Sequence, residues 1–132
     1  MSEARKRIGC VIVAHGDVAA CLLDGVQRIL GTQDGCRAVS NAGLGLAELV
    51  ETVEEAIDDL AKTRDVVLFT DMPGGSCYHV CQEIVTARAG IQAMSGVNLM
   101  MLLEFFVKRD HHSMSELLRL VEERGRGAIS LL

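Results

Sequence analysis

Two polar residues stand directly after apolar runs and belong to the types that carry group-transfer chemistry. His15 follows the run at residues 8–14, and Asp71 follows the run at residues 66–70. An imidazole can act as a nucleophile, a base or a metal ligand, and a carboxylate bound to one ring nitrogen leaves the other free to attack. The pair therefore predicts a nucleophilic histidine oriented by an aspartate. The alternative interpretation is a structural histidine at a strand end.

A glycine-rich loop after Asp71 has the features of an anion site. Pro73 fixes the backbone φ angle at one position of the turn, while Gly74 and Gly75 permit positive φ and a close approach of the backbone to a ligand. Ser76 is predicted to be the N-cap of the helix that follows. Free N–H groups at the start of a helix, together with the helix dipole, bind anions. An ordinary strand-to-helix turn remains the alternative for these residues.

No metal or cofactor is expected. His111 and His112 are adjacent in a polar segment and lack the spacing of metal ligands. Cys77 and Cys81 share one face of a predicted helix, whereas His79 points elsewhere, so a zinc site is not predicted there.

Two other enzyme classes fit the sequence poorly. A histidine phosphatase normally has an arginine just before its histidine, and Ala14 occupies that place. A hydrolase with Ser76 as its nucleophile would need a Gly-x-Ser-x-Gly elbow, which the residues around Ser76 do not supply.

The elements that must position these residues alternate along the chain between strand and helix patterns. Strands are predicted at residues 8–14, 36–40, 66–70, 91–95 and 128–132, and helices at 18–30, 46–60, 76–88, 99–107 and 114–121. This order predicts an α/β fold, a doubly wound and mainly parallel sheet flanked by helices, in one domain over residues 1–132.

A parallel sheet brings the carboxyl ends of its strands to one edge, where ligands and chemistry collect. Three irregular turns are predicted to share that edge, at residues 15–17, 71–76 and 96–98. The apolar faces of the first two helices are predicted to point inward, with the residues Ala19, Leu22, Leu23, Val26, Ile29 and Leu30 in the first and Leu46, Leu49, Val50, Val53, Ile57 and Leu60 in the second.

Composition limits the classes of function further. The chain has 132 residues and a net charge of −5 without a basic stripe, which argues against a nucleic-acid binder. No apolar segment approaches the ~20 residues that span a bilayer. The charged residues 1–7 are interpreted as the start of the fold and not as a signal peptide. The five cysteines lie mostly within apolar patterns, which predicts buried, reduced thiols in a cytoplasmic protein.

Three segments of the chain match a known family in order and spacing. They read VIVAHG at residues 11–16, VLFTDMPGGS at 67–76 and SGVNLMML at 95–102. Together they resemble the mannose-type enzyme IIA family of the bacterial phosphotransferase system, over essentially the whole chain. The related phosphotransfer domain of the dihydroxyacetone kinase system is the nearest neighbour.

The resemblance implies a cytoplasmic phosphoryl carrier. In this family phospho-HPr phosphorylates the histidine that corresponds to His15 on Nε2, while the matching aspartate, Asp71, holds Nδ1. Gly74, Gly75 and Ser76 correspond to the phosphate-binding loop. The group then passes to a IIB component, here a separate protein, for sugar uptake through the membrane IIC and IID components.

The resemblance also implies a homodimer that exchanges an antiparallel carboxyl-terminal strand, which residues 128–132 match in place. The chain departs from the family pattern after Ser76, where many members carry a proline and then an aromatic residue and this chain has Cys77, Tyr78 and His79. The sugar and the cognate partner therefore stay open. Two alternatives also remain, a regulatory module that reports its phosphorylation state to a partner and the phosphocarrier domain of a dihydroxyacetone kinase system.

Overall fold

The computed structural model describes residues 7–132, and within them the chain alternates between four strands and five helices. These elements are β1 (Gly9–Ala14), α1 (Val18–Leu30), β2 (Cys36–Ser40), α2 (Leu46–Ala61), β3 (Val66–Thr70), α3 (Gly75–Ala87), β4 (Gln92–Met94), α4 (Leu99–Lys108) and α5 (Met114–Gly127). The strands form one sheet in the order β2-β1-β3-β4, and every pair is parallel. The predicted α/β class with a parallel sheet is confirmed.

Helices cover both faces of the sheet, which explains the continuous apolar runs in β1 and β3. Cys10, Ile12 and Ala14 of β1 pack in the core cluster that contains residues of α1, α4 and α5. The alternate residues Val11 and Val13 pack with α2 and α3. Because both faces are covered, all six residues of β1 are buried.

The strand order creates a crevice at the carboxyl ends of β1 and β3. The chain leaves β1 toward β2 on one side and returns to β3 on the other, so the direction of winding reverses between these two strands. Val13 pairs with Thr70 in the register of β1 and β3. His15 and Asp71, which follow the two strands directly, therefore meet at this reversal.

Two residues predicted to point inward are exposed. Ile29 is 58% exposed and Leu46 is 51% exposed. Ile29 lies near the end of α1, about 60° around the helix from the buried Val26. It is therefore at the margin of the apolar stripe. Leu46 is the first residue of α2, where the helix has not yet reached its packing against the sheet.

The predicted strand at residues 128–132 does not form within the single chain, because α5 ends at Gly127 and no strand follows it in the described residues; its exchange with a second copy stays a prediction. Ile129, Leu131 and Leu132 are exposed. Their apolar pattern favours a strand, but a strand is stabilised only by pairing with a sheet edge, and this segment pairs with none in its own chain. The strand predicted at residues 91–95 is also shorter, since only Gln92–Met94 pair with β3.

The prediction that residues 1–7 begin the fold concerns mainly residues 1–6, which lie outside the described residues. The single domain over residues 1–132 also stays a prediction. Between residues 7 and 132, no helix combines the length and the apolar character that crossing a bilayer requires. Four cysteines are buried as predicted, Cys10, Cys36, Cys77 and Cys81, whereas Cys21 is exposed on α1.

Candidate functional site

His15 and Asp71 form a hydrogen-bonded pair at the carboxyl edge of the sheet. The ring nitrogen Nδ1 of His15 lies 2.8 Å from Oδ2 of Asp71, and the His15 backbone N–H donates to the same oxygen at 3.0 Å. The His15 side chain is 40% exposed and the Asp71 side chain 15%. The two strands thus hold the imidazole by both its ring and its backbone, while part of the ring faces solvent.

The surroundings of Asp71 keep its carboxylate ionised. Burial by itself raises the pKa of Asp71, but the hydrogen bonds from the backbone and ring of His15 outweigh it and hold the pKa below its usual value. The second oxygen, Oδ1, accepts from the Met72 N–H at 3.0 Å and from the Thr70 hydroxyl at 3.4 Å. An ionised carboxylate only accepts, so Nδ1 of a neutral His15 must carry the proton and Nε2 must carry the lone pair.

The glycine loop reaches the free side of the ring. Gly74 and Gly75 both have positive φ, at 88° and 83°, a conformation that glycine adopts without steric cost. A Cβ atom on Gly75 would lie 3.4 Å from Nε2 and from Cε1 of His15. The start of α3, whose first N–H groups have no partner within the helix, therefore lies beside Nε2.

Ser76 has a different place from the one predicted. The N-cap of α3 is Gly74, and Ser76 lies inside the first turn. The positive φ of both glycines tightens the loop, so the helix begins one residue before the serine. The Ser76 hydroxyl is thereby free of a capping role and accepts a hydrogen bond from Nδ2 of Asn41 at 3.2 Å.

Asn41 is the site residue that sequence reasoning missed, because residues 41–43 read only as a turn. It follows β2, and its Oδ1 accepts from the Gly16 N–H at 3.2 Å. Its position after a strand that neighbours β1 is the signal that could have found it. The predicted turn at residues 96–98 has another function, since the Val97 N–H donates to the Thr70 carbonyl at 3.0 Å and Asn98 caps α4.

A metal-like grouping exists among the described residues, but its chemistry favours the hydrogen-bonded pair. His15, Asp71 and Cys77 each place one ligand atom within 4.8 Å of the others. Burial raises the pKa of the Cys77 thiol and the nearby Asp71 raises it further, although Ser76 acts in the opposite direction. A protonated thiol is a poor ligand, and Nδ1 and Oδ2 are already bonded to each other.

The exposed side of the site suits contact with a large partner. Met72 and Val18, which lie close to Asp71 and His15 in the sequence, are 48% and 42% exposed. Apolar side chains around an open polar centre are typical of protein–protein contact surfaces. The arrangement presents a ring nitrogen that Asp71 does not use, beside the start of α3, on a partly exposed surface.

Comparisons with known proteins identify the family of this chain. Residues 9–122 match the EIIA-man family model, described as the phosphotransferase-system fructose IIA component. The mannose-specific EIIAB component of Escherichia coli K12 is 31% identical over 127 residues, which cover 95% of this chain and 39% of that protein. The fructose-specific EIIA component of Bacillus subtilis is 29% identical over 112 residues, covering 84% of this chain and 77% of that protein. The chain thus spans about two fifths of the first of these relatives.

Solved structures share the fold. The phosphotransferase-system component EIIA from Streptococcus agalactiae superposes with a TM-score of 0.86 at 23% identity, covering 94% of this chain and 96% of that one. The mannose/sorbose-specific IIA subunit from Enterococcus faecalis gives a TM-score of 0.80 at 21% identity, covering 96% and 95%.

Proposed function

This chain belongs to the EIIA-man family of phosphotransferase-system IIA components, and we propose that it is a phosphoryl carrier. His15 accepts a phosphoryl group from phospho-HPr and passes it to a IIB component for sugar uptake and phosphorylation. The observation that carries the proposal is the orientation of His15. Asp71 binds Nδ1 at 2.8 Å while Nε2 faces the start of α3 and solvent.

The transfer step needs little covalent machinery. The Nε2 lone pair attacks phosphorus, the N–P bond forms, and the bond from phosphorus to the donor breaks with its electron pair returning to the donor. The Nδ1 proton stays in place, so the ring gains positive charge as it is phosphorylated. The ionised Asp71 stabilises that charge, because the hydrogen bond becomes an ion pair.

The phosphate-binding part of the site is assigned to Gly74, Gly75 and Ser76. Gly75 brings the backbone against Nε2, which supports the proposal that the first N–H groups of α3 bind the phosphoryl oxygens. The dipole of a helix end contributes only about 0.3–1 kcal/mol at an exposed site. Direct hydrogen bonds to a charged group contribute about 1.5–3 kcal/mol each, so the bonds from the loop are the larger effect.

The test is the intact mass of the protein after incubation with phosphoenolpyruvate, enzyme I and HPr. We expect one acid-labile phosphoryl group on the wild type and none on His15→Ala, with unchanged thermal unfolding. His111→Ala is the matched control, since this exposed histidine lies outside the site and its loss should leave the mass gain intact. A wild type that stays unmodified, or a His15→Ala variant that gains the group, contradicts the carrier proposal.

A second arm separates transport from regulation. The phosphorylated protein is mixed with candidate IIB components and, separately, with the dihydroxyacetone kinase proteins, and loss of the phosphoryl group is followed. Transfer to a IIB component supports transport. Transfer to the kinase system, or retention together with phosphorylation-dependent binding of a partner, would instead favour the alternatives left open by the sequence.

A homodimer in the cytoplasm, linked to the membrane only through IIC and IID components, completes the proposal. Ile129 and Leu131 are exposed and alternate as strand residues do, the adjacent Leu132 is exposed as well, and β4 is an edge strand of the sheet. Exchange of residues 128–132 between two copies would cover both. Deleting residues 128–132 should shift light scattering from dimer to monomer, and an unchanged mass after the deletion would exclude the exchanged strand.

A further inference from the structure

Asn41 is placed at the site by β2, a strand whose end has no role in the proposed carrier chemistry. Ala14 of β1 pairs with Ser40 of β2, so the two strands end side by side. The Asn41 N–H then donates to the Ala14 carbonyl at 3.3 Å. This backbone bond fixes Asn41 beside the start of the His15 turn and leaves its side chain to reach across the edge of the sheet.

The amide of Asn41 has only one orientation that satisfies its neighbours. The Gly16 N–H is a donor and cannot accept, so the atom that faces it at 3.2 Å must be the amide oxygen Oδ1. The amide nitrogen Nδ2 must then face the Ser76 hydroxyl at 3.2 Å. A backbone group of the His15 turn therefore dictates which hydrogen-bonding group Ser76 meets.

Because Nδ2 only donates, the Ser76 oxygen has to accept, and its single proton is directed away from Asn41. Ser76 directly follows Gly75, which lies against Nε2 of His15. We infer that Asn41 is a positioning residue that aims the Ser76 O–H at the phosphoryl group on His15. The inference rests on the proposed function, since it assigns one hydrogen bond to the phosphorylated state.

An independent phosphoryl donor allows the test to be separated from HPr. Phosphoramidate, in which an ammonium nitrogen is bound to phosphorus, transfers its phosphoryl group to Nε2 and releases ammonia. The N–P bond of the reagent breaks, its electron pair leaves with the ammonia nitrogen, and a new N–P bond forms on His15. The rate of His15 phosphorylation is measured by intact mass for the wild type, Asn41→Ala, Ser76→Ala and the double variant. The same four proteins are then compared with phospho-HPr as the donor.

The expected pattern is a coupled pair. Ser76→Ala should slow phosphorylation about tenfold, the effect of one hydrogen bond to a charged group. Asn41→Ala should slow it about three- to tenfold in the wild-type background, because the hydroxyl then rotates freely. In the Ser76→Ala background the same change should have less than about a twofold effect, because the hydroxyl through which it acts is absent.

Two further variants control for damage to the turn. Asn41→Asp keeps an acceptor for the Gly16 N–H but would draw the Ser76 proton toward itself, so it should fold normally and be at least as slow as Asn41→Ala. Ser40→Ala removes a different bond of the same turn, from the Ala42 N–H at 3.0 Å, and should react at the wild-type rate.

The outcomes distinguish the inference from the proposed function. Equal slowing by Asn41→Ala in both backgrounds, a wild-type rate for that variant, or no reaction of His15 with phosphoramidate overturns the inference. Coupling seen with phosphoramidate but no transfer from phospho-HPr supports the inference and contradicts the proposed carrier function. Transfer from phospho-HPr, with rate effects of Asn41→Ala and Ser76→Ala that simply add, supports the carrier function and contradicts the positioning role of Asn41.

Discussion

Polar groups from three strands meet both at the carboxyl ends of the strands (the carboxyl edge) and at their amino ends (the amino edge). The two groups differ in whether a polar atom is left accessible. At the carboxyl edge, His15 and Asp71 are joined while Nε2 stays open. At the amino edge, the Arg109 guanidinium is 0% exposed and donates to the Ile8 and Asp34 carbonyls at 3.1 and 2.9 Å. The carboxyl edge therefore has an accessible ring nitrogen, whereas the charge at the amino edge is buried.

The amino-edge cluster consists of Arg7, Asp34, Arg64, Arg109 and Asp110. Asp34 pairs with Arg7 at 2.8 Å, with Arg109 at 3.0 Å and with Arg64 at 3.6 Å. The Arg109 guanidinium also lies 4.9 Å from the centre of the Phe106 ring, a favourable cation–π distance. This network joins the loops before β1, β2 and β3 to the end of α4, which is a structural task.

The comparison shows that an ion pair indicates a functional site only when one of its groups also has an accessible atom that is free to react. The Nε of Arg109 is buried without a partner among the described residues, but the bonds from its two terminal nitrogens end on groups of the loops it joins, so its charge stabilises a particular packing. The imidazole of His15 uses one nitrogen for Asp71 and keeps the other for an incoming group. The largest effects of substitution should therefore appear as lost stability at one edge and lost reactivity at the other.

The largest expected effect is on stability, from Arg109→Met. Removing the guanidinium leaves the Ile8 and Asp34 carbonyls without this donor, whereas the Asp34 carboxylate, which is 60% exposed, keeps Arg7 and Arg64 as partners. Each acceptor left unsatisfied costs about 1–3 kcal/mol. Urea unfolding should show that loss, while the folded protein still accepts a phosphoryl group at the wild-type rate. Arg28→Met is the control, since the Arg28–Asp24 pair is exposed on both sides and its loss should leave the free energy of unfolding nearly unchanged. A slowed transfer rate in folded Arg109→Met would show that the edges are not separable.

The next effect is on the transfer rate, from Asp71→Asn. The amide cannot offer a negative charge to the phosphorylated ring and does not favour the Nδ1–H tautomer, so the rate should fall about 10²-fold, equal to about 2.7 kcal/mol. Single-turnover transfer from phospho-HPr measures this change. Asp17→Asn, at the N-cap of α1, is the matched control and should be nearly silent. Equal rates for Asp71→Asn and the wild type would remove the orienting role.

Alanine substitutions at two glycines distinguish the effect of backbone strain on stability from the effect of contact with His15 on the transfer rate. Gly75 and Gly90 have nearly the same φ, 83° and 90°, but a Cβ on Gly75 meets His15 at 3.4 Å whereas one on Gly90 meets nothing within 4 Å. Alanine at either position should cost about 1–2 kcal/mol of stability, because L-residues disfavour this region. Only Gly75→Ala should also slow phosphorylation, by roughly tenfold. Equal rates for the two variants would place the loop outside the reaction.

Sequence reasoning finds those parts of the site that depend on one strand at a time. His15 and Asp71 each end an apolar run, and the topology of a parallel sheet brings such ends together. Asn41 escapes it because the role of this residue depends on where its amide points, which the neighbouring loops decide. Serine favours the N-cap position, which predicts Ser76 there, but two consecutive positive-φ glycines move the start of α3.

The amino-edge cluster and the exposed carboxyl-terminal residues lie beyond prediction for a different reason. Arg109 is one of several charged residues in the sequence, and only the packing of α4 against the amino ends of the strands buries it. Ile129 has the pattern of a strand residue, yet pattern alone does not supply a sheet edge. In both cases the outcome depends on contacts between distant parts of the chain.

The smallest expected effect is the acid dependence of stability, which compares the edges directly. The pKa values of Asp71 and Asp110 are both lowered, the first despite burial by its bonds from His15 and the second mainly by its hydrogen bond from Arg7. A lowered pKa stabilises the fold at every pH above the unfolded value of about 3.9, and this contribution is lost as the pH falls through the folded value. The free energy of unfolding that Asp71→Asn loses relative to wild type should therefore shrink below about pH 4.

Asp110→Asn is the matched variant at the amino edge and should show the same sign with a smaller amplitude. Its side chain is 40% exposed against 15% for Asp71, so solvent screens its ion pair more strongly. Urea titrations at a series of acid pH values measure both differences. A difference for Asp71→Asn that stays constant with pH would mean that its carboxylate is not stabilised by His15 in the folded protein, and the electrostatic basis of the open edge would be lost.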